Sequence, residues 1–159
     1  MSFQKVLALT DGSDFSRKAL KYAVEICQRF GARLHLLTVI EGPPSFVRAE
    51  VSREILEETE ATLRSELGSC SIYCETSGLP CHAEVRKGNP FEEIIGFAEE
   101  IDADLIVMST HGWTGLPHVL LGSVAEKVVR HAPCPVMTIR LKAKELALGP
   151  QGSCETEGK

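Results

Sequence analysis

Short apolar runs alternate with segments of helical periodicity along this chain, and the alternation constrains the fold more than any other feature. Each run is bounded by turn residues, as buried strands are. The runs predicted as strands are residues 4–10, 33–40, 80–86, 104–109 and 136–139. Strands that alternate with helices predict an α/β fold, in which a five-stranded parallel sheet carries helices on both faces. The length of 159 residues suits a single domain.

Four helices are predicted between these strands. The first begins at Asp14 and stops at Gly31, and the second is a highly charged segment over 46–68, followed by a less regular stretch over 69–79. Apolar residues that recur every three or four positions are expected to face the core. They are Phe15, Ala19, Ala23, Ile26, Cys27 and Phe30 in the first helix, and Val51, Ile55, Thr59, Thr62 and Leu63 in the second.

The third and fourth helices have clear start signals. Asn89 is placed to cap the third, with Pro90 in its first position and Glu92 three residues after the cap. Ser123 is expected to cap the fourth helix, where Glu126 completes a capping box. The predicted inner faces are Phe91, Ile94, Ile95, Ala98 and Ile101 in the third helix, and Val124, Val128 and Val129 in the fourth.

Net charge and the two ends of the chain bear on partners and location. The formal net charge of −5 argues against a nucleic-acid backbone as the main partner, because proteins that bind one usually carry a basic field. No apolar run approaches the roughly 20 residues that span a bilayer, and the N-terminal residues lack a signal-peptide pattern. We therefore expect a cytoplasmic protein without membrane partners. Residues 143–159 show no periodicity and are expected to form a flexible tail.

Six cysteines are present, and their use is open from sequence alone. They are Cys27, Cys70, Cys74, Cys81, Cys134 and Cys154. An even count is compatible with disulfides, but free thiols are the main interpretation for a cytosolic domain that can build a core. Cys70, Cys74 and Cys81 lie close together in sequence, as metal-binding thiolates do. There is no CxxC pair and no histidine at finger-like spacing, so no metal site is predicted.

Three loops are expected to meet at one edge of the sheet. Ligands of parallel sheets bind at the carboxyl ends of the strands, where the strand order reverses. That rule selects the loops after the first, second and fourth predicted strands, at Thr10–Ser13, Val39–Gly42 and Ser109–Ser123. All three contain residues that suit a phosphate or a ribose.

The loop from Ser109 to Ser123 carries the strongest chemical signal. It leaves a strand and enters a helix, whose first amides are unpaired and lie at the positive end of the helix dipole. Gly122 removes a Cβ that would block an anion, the Ser123 hydroxyl adds a donor, and Gly112 can turn its N–H toward a phosphate. The alternative is an ordinary long connection with turn glycines.

At these residues the sequence resembles the universal stress protein family. Its ATP-binding members carry a glycine, two residues, a second glycine, nine residues, and then Gly-Ser or Gly-Thr. The same spacing joins Ser109, Gly112 and the pair Gly122-Ser123, with serine in place of the first glycine. Such a serine would be strained only if the position required a positive φ. Other matching segments are 9–13 (LTDGS), 88–90 (GNP), 104–108 (DLIVM), 123–126 (SVAE) and 131–136 (HAPCPV), and the likeness covers residues 3–140.

The resemblance implies a Rossmann-like fold of the adenine-nucleotide alpha-hydrolase-like type over residues 1–142, with ATP as ligand. Asp11 and Thr10 would meet the adenosine, and Val39 and Met108 would lie beside the base. The phosphates would be held by His111, Gly112, Gly122, Ser123 and Val124, and Ser109 would belong to the same nucleotide site. Each role has an alternative that needs no ligand. Asp11 can form an Asx turn or cap the first helix, Val39 and Met108 can be core residues, and His111 can be a solvated side chain.

No catalytic constellation is evident, so three hypotheses about function stay open. The first is an ATP-binding regulatory module of the stress response. The second is a family member that has lost nucleotide binding and acts through its dimer surface. The third is a weak ATPase or autophosphorylating protein, for which Asp11 and Asp14 would be the carboxylates available to Mg²⁺. No P-loop lysine of the GKS or GKT type is present.

The last predicted strand is expected at an edge of the sheet. An apolar edge invites pairing with a second copy, and family members commonly dimerise in this way. The segment from Val136 to Arg140 is therefore predicted to form the interface of a homodimer.

Overall fold

A computed structural model describes residues 2–42, 49–110 and 121–140. Its elements are β1 (Lys5–Leu9), α1 (Asp14–Phe30), β2 (Arg33–Ile40), α2 (Ala49–Thr76), β3 (Cys81–Lys87), α3 (Pro90–Glu100), β4 (Leu105–Ser109), α4 (Ser123–His131) and β5 (Val136–Ile139). This order confirms the predicted alternation of strands and helices. The predicted tail at 143–159 lies outside the described residues.

The five strands form one parallel sheet in the order β3-β2-β1-β4-β5, as the predicted fold class requires. The strand β1 is central and pairs with β2 on one side and β4 on the other. The chain winds from β1 through β2 to β3, and then returns past β1 to β4 and β5. The strand order therefore reverses between β1 and β4, which is where a ligand crevice opens in sheets of this kind.

Alternate residues of the central strands enter two separate cores. Val6 and Ala8 of β1 pack with α1 and α2, whereas Leu7 packs with α3 and α4 on the other face. The same division continues in β4, where Val107 belongs to the first core and Met108 to the second. Burial on both faces explains why the strand sequences are almost continuously apolar.

Several predicted core residues are exposed instead. Phe30 is 49% exposed and contacts Phe3 edge-to-face, with 5.2 Å between ring centroids. Val129 and Ile55 are 47% and 45% exposed. In α4, Val128 is buried as predicted, together with Ala125 one turn before it. In α3, Phe97 is fully buried although the sequence pattern did not single it out.

The helix α2 is longer than predicted. It continues through Gly68 and ends at Thr76, so most of the stretch predicted as irregular is helical. A Schellman motif ends it: the N–H of Leu79 donates to the carbonyl of Cys74 at 3.0 Å, and that of Gly78 to Glu75 at 2.9 Å. Gly78 has a φ of 73°, the left-handed conformation that this motif needs and glycine supplies. Across the described part of the chain, no helix combines the length and apolar character needed to cross a membrane.

The predicted helix caps are confirmed at α1 and α3 and wrong at α4. Gly31 ends α1 with a φ of 66°, and the Asn89 side chain accepts hydrogen bonds at the start of α3. At α4 the N-cap is Gly122, and Ser123 is the first helical residue. The capping box predicted for Ser123 and Glu126 is therefore absent from this helix start, because the cap lies one residue earlier.

Candidate functional site

A cleft of about 340 Å³ opens at the carboxyl ends of β1, β2 and β4, at the reversal of strand order. This volume lies within the range typical of small-molecule sites. The lining residues come from the strand ends and from the beginnings of α1, α3 and α4. They are Leu9, Thr10, Asp11, Ser16, Leu37, Val39, Glu41, Pro90, Ile94, Met108, Ser109, Thr110, Gly122, Ser123, Val124 and Ala125.

The cleft brings together every predicted site residue that the structure describes. These eight residues are Thr10, Asp11, Val39, Met108, Ser109, Gly122, Ser123 and Val124. The other two, His111 and Gly112, lie outside the described residues. Segments more than 100 positions apart along the chain thus share one concave surface.

The end of β1 is held by a network of short side chains. Asp11 Oδ1 accepts hydrogen bonds from the Ser13 backbone N–H at 3.0 Å and from the Ser13 hydroxyl at 2.6 Å. The Ser13 Oγ in turn accepts from the N–H of Ser16 at 3.2 Å and caps α1. Asp11 therefore forms the Asx turn that was one of its two interpretations, and its carboxylate also lines the cleft.

The floor beside Asp11 is fixed by buried threonines. The Thr38 hydroxyl donates to the carbonyl of Thr10 at 3.0 Å, and the N–H of Thr10 donates to Leu37 at 3.0 Å. Both threonines are at least nine-tenths buried. The hydrogen bonds between β1 and β2 thus continue beyond the last residue of β1, so the residues under the cleft are held rigidly.

The end of β4 approaches the start of α4 closely. The N–H of Gly122 donates to the carbonyl of Thr110 at 2.8 Å. A Cβ at Gly122 would lie 3.1 Å from that carbonyl oxygen, which is tighter than nearly all real Cβ contacts. Gly122 was predicted to donate to a phosphate, and the structure corrects that role because its N–H is already bonded. Gly122 contributes to the site because it has no side chain, which lets the start of α4 lie close to Thr110.

Three backbone amides follow Gly122 at the opening of the cleft. Glu126 is the first residue of α4 whose N–H bonds within the helix, to the carbonyl of Gly122. The amides of Ser123, Val124 and Ala125 therefore have no acceptor within α4 and mark the positive end of its dipole. Ser123 is exposed, and its hydroxyl is not used as a cap.

Ser109 occupies its position without backbone strain. It is the last residue of β4 and pairs with Ile139 of β5. Among the described residues other than glycine, only Asp102 has a positive φ. Serine in place of the family's glycine therefore costs nothing in backbone conformation here.

Apolar side chains form the walls between the polar edges. Val39 is half-buried at the end of β2, and Met108 is 6% exposed in β4. Both pack against the core on the α3 and α4 face and also line the cleft. A core position is therefore compatible with a place in the predicted site. Sequence reasoning missed Ile94 as a lining residue. Its position one turn into α3, after the Asn89-Pro90 junction, was the available signal.

Charge is distributed unevenly around the cleft. Asp11 and Glu41 place two carboxylates on the side of β1 and β2, opposite the positive start of α4. A neighbouring groove of about 500 Å³ between these strand ends and α2 shares Asp11, Val39 and Glu41 as a common wall. Its far side is formed by Ile55, Glu58, Thr59, Thr62 and Leu63.

The described residues contain no cluster of three or more metal-ligating side chains. The carboxylates considered for Mg²⁺ are Asp11 and Asp14. Asp14 Oδ1 accepts a hydrogen bond from the Arg17 guanidinium at 2.9 Å on the exposed surface of α1. A magnesium ion that used both carboxylates would have to compete with Arg17.

Comparison with known proteins places the chain among its relatives. The sequence model described as the universal stress protein family matches residues 2–140. The chain belongs to the universal stress protein family. A universal stress protein of Methanocaldococcus jannaschii is 40% identical over 145 residues, which cover 90% of this chain and 85% of that protein.

Solved structures of the family share the fold. The universal stress protein UspA of Lactobacillus plantarum is 30% identical, with a TM-score of 0.82 over 88% of this chain and 99% of its own. A universal stress protein solved in complex with cAMP is 25% identical, with a TM-score of 0.68 over 87% of this chain and 98% of its own. The predicted family and its Rossmann-like α/β fold are thereby confirmed.

Proposed function

We propose that the cleft binds an adenine nucleotide, ATP, and that the protein is a nucleotide-binding regulatory module of the stress response. The observation that carries the proposal is the convergence of eight motif residues from three distant segments on one cleft. The relative solved with cAMP supports the adenine class. The choice of ATP rests on the glycine spacing that the sequence shares with ATP-binding members of the family.

Each part of the nucleotide has a matching surface. The base would lie in the apolar part, between Val39 and Met108. The ribose hydroxyls would donate to the Asp11 carboxylate, whose two oxygens both accept hydrogen bonds when it is ionised. The phosphates would lie at the start of α4, where the amides of Ser123 and Val124 donate to anions. Repulsion from Asp11 and Glu41 would keep the phosphates away from the β2 side.

The proposal makes the protein a binding module rather than an efficient enzyme. Regulation would follow from ATP changing the order of the loops around the cleft, and hence the binding of a client protein. Slow hydrolysis or autophosphorylation, with Mg²⁺ bound alongside ATP, stays the enzymatic alternative. Phosphate release well above that of an Asp11→Ala variant would favour it.

A homodimer through β5 is the second part of the proposal. The strand β5 is at the edge of the sheet and pairs with β4 alone in the described sheet. Met137 on this strand is 38% exposed. Sedimentation at micromolar concentration should give a dimer. A dimer that binds no nucleotide would favour the hypothesis of a family member that acts through its surface alone.

The test of nucleotide binding is direct. Protein purified without added nucleotide is denatured and the released small molecules are identified. Stripped protein is then titrated with ATP, AMP, cAMP and GTP in a calorimeter, and its thermal unfolding is followed. We expect ATP at a hundred times its Kd to add about 2.7 kcal/mol to the free energy of unfolding. If no adenine nucleotide co-purifies and none shifts the unfolding, the proposal is wrong.

A matched pair of variants tests the assigned geometry. Asp11→Asn keeps an oxygen for Ser13 but loses the charge, and is expected to weaken ATP binding about tenfold, since charged acceptors are worth about 1.5–3 kcal/mol. Asp14→Asn removes a carboxylate three residues away that faces Arg17 and not the cleft. It should leave the Kd for ATP unchanged. Equal effects of the two variants would contradict the role given to Asp11.

A further inference from the structure

Four cysteines lie together on the face of the sheet opposite α3 and α4, and none of them lines the cleft. Cys27 of α1 and Cys70 and Cys74 of α2 are buried in the core on this face. Cys81, the first residue of β3, packs against the same core but is only half-buried. One member of the group is thus within reach of solvent and the others are not.

The Schellman motif at the end of α2 places Cys81 against the last turns of that helix. Its hydrogen bond from Leu79 to the carbonyl of Cys74 reverses the chain immediately after α2. Two residues after Leu79, the chain enters β3 at Cys81 and pairs with Leu34 of β2. The Ser71 Oγ then lies 3.3 Å from the Cys81 sulfur.

Cys74 lies three residues after Ser71 on the same face of α2, so it is the cysteine of that helix beside Cys81. Burial raises the pKa of Cys74, and interactions with the neighbouring Cys81 thiol raise it further. Burial also raises the pKa of Cys70, whose sulfur lies 3.9 Å from the Thr10 hydroxyl. Cys70 is therefore directed toward β1, whereas Cys74 is directed toward β3.

We propose that Cys74 and Cys81 form an oxidisable dithiol, which hydroperoxides convert to a disulfide that ties the end of α2 to the start of β3. Ordinary disulfides need the two Cα atoms within about 4.4–6.8 Å of each other, so the bond requires a preformed approach of the two segments. The hydrogen bond from Leu79 to Cys74 and the contact between Ser71 and Cys81 hold the two segments beside each other in the reduced protein.

The two thiols have different parts in the reaction. The thiolate of a cysteine is its nucleophilic form, and access to the oxidant is needed as well. Cys81 meets the second condition because it is half-buried at an edge strand. Cys74 is fully buried and out of reach of the oxidant, so it reacts only after the sulfenic acid has formed beside it, as the resolving partner.

The atoms balance with hydrogen peroxide as the oxidant. The Cys81 thiolate attacks one peroxide oxygen, the O–O bond breaks, and the products are a Cys81 sulfenic acid and hydroxide, which takes up the thiol proton and leaves as water. The Cys74 sulfur then attacks the Cys81 sulfur and displaces the sulfenic hydroxyl, which leaves as a second water with the proton of Cys74. Two thiols are oxidised to one disulfide and one peroxide is reduced.

The experiment uses the full-length chain. Reduced protein is treated with hydrogen peroxide, its remaining thiols are blocked under denaturing conditions, and proteolytic peptides are mapped by mass spectrometry. We expect a peptide pair joined through Cys74 and Cys81, lighter by two hydrogen atoms and separated again by a dithiol reductant. Linkage of Cys81 to any other cysteine, linkage between two chains, or direct passage of Cys81 to sulfinic acid would overturn the proposal.

Variants separate the two parts of the reaction. In Cys74→Ser the sulfenic acid of Cys81 has no resolving partner, so trapping by dimedone should rise several-fold over the wild type. Cys81→Ser should give neither dimedone adduct at this position nor disulfide, and it keeps the proposal testable if the buried Cys74 does not tolerate serine. The matched control is Cys134→Ser, a half-buried cysteine on the other face, which should form the wild-type linkage.

Discussion

The helices α1, α3 and α4 begin at the same edge of the sheet as the cleft, but the backbone N–H groups of their first turns have different acceptors. In α1 the Ser13 hydroxyl accepts from Ser16, and in α3 the Asn89 side chain accepts from Phe91 and Glu92. In α4 the N-cap is Gly122, which has no side chain to do this. Among the described residues, side chains cap the starts of α1 and α3, and no side chain caps the start of α4.

The carboxylate of Asp104 shows how backbone N–H groups stabilise an anion in this protein. Asp104 Oδ2 accepts from the backbone N–H groups of Gln4 and Lys5, at 2.8 and 2.9 Å. These two hydrogen bonds lower the pKa of Asp104, because they stabilise its charged form. The first amides of α4 offer the same kind of donor to a phosphate. Substitutions at Gly122, at the two capping residues and at Asp104 can break or sharpen the contrast between capped and uncapped helix starts.

The largest effect is expected from giving α4 a cap of its own. In Gly122→Asp the new carboxylate would accept from the first amides of the helix and repel the phosphates. We expect at least a tenfold weaker Kd for ATP than in Gly122→Ala, which adds the same Cβ against Thr110 but no charge. Calorimetric titration measures both variants. Adenosine, which has no phosphate, should bind the two equally well; equal ATP affinities would show that the start of α4 holds no phosphate.

Removing the existing caps should cost stability at both helices but affinity at only one. Ser13→Ala and Asn89→Ala are each expected to lower the free energy of unfolding in urea by about 1 kcal/mol. Only Ser13→Ala should also weaken ATP binding, because the Ser13 hydroxyl donates to Asp11 Oδ1. An equal loss of affinity in Asn89→Ala would mean that stability, and not the position of Asp11, determines binding.

The smallest effect concerns Asp104. Asp104→Asn keeps an oxygen acceptor but removes the charge, and should lower the free energy of unfolding near neutral pH by about 0.5–1 kcal/mol. The pKa of Asp104 is lower in the folded state than in the unfolded state. Its contribution is therefore complete above the unfolded-state pKa and is lost as pH falls through the folded-state pKa.

Thermal unfolding measured from neutral to acidic pH should accordingly show the Asp104→Asn and wild-type curves converging in acid. The control is Asp102→Asn, which alters an exposed carboxylate 3.8 Å from Lys5 Nζ. Asparagine tolerates the positive φ at that position, so the change should be close to neutral. A difference in stability between Asp104→Asn and wild type that is the same at all pH values would show that the charge of Asp104 is not its cause.

Much of the fold was predictable because hydrophobic periodicity and the residues that form turns and caps depend only on the local sequence. The strand at 33–40 and the caps at Gly31 and Asn89 follow from neighbouring residues alone. The extent of α2 could not be predicted in this way, because Gly68 is typical of a helix end although the helix continues to Thr76. Packing against the sheet outweighs the cost of one glycine in a helix.

The candidate site likewise has features that the local sequence predicts and features that it does not. The glycine spacing and the rule of strand ends select residues that the fold brings to one cleft. The pairing of the Gly122 N–H with Thr110 could not be predicted, because it depends on how closely the end of β4 approaches α4. The absence of strain at Ser109 likewise depends on its pairing with Ile139, which only the assembled sheet defines.

The hydrogen bonds that extend the sheet beneath the cleft have a consequence for dynamics. The N–H of Thr10 bonds to β2 and that of Thr110 to β5, so the floor is part of the hydrogen-bonded sheet. Amides in such positions exchange with solvent only through the largest opening events, whereas exposed helix starts exchange through local ones. We therefore expect a ligand in the cleft to slow amide exchange at the rim, at Glu41 and Ser123. The amides of the floor should exchange equally slowly in the free and the bound protein.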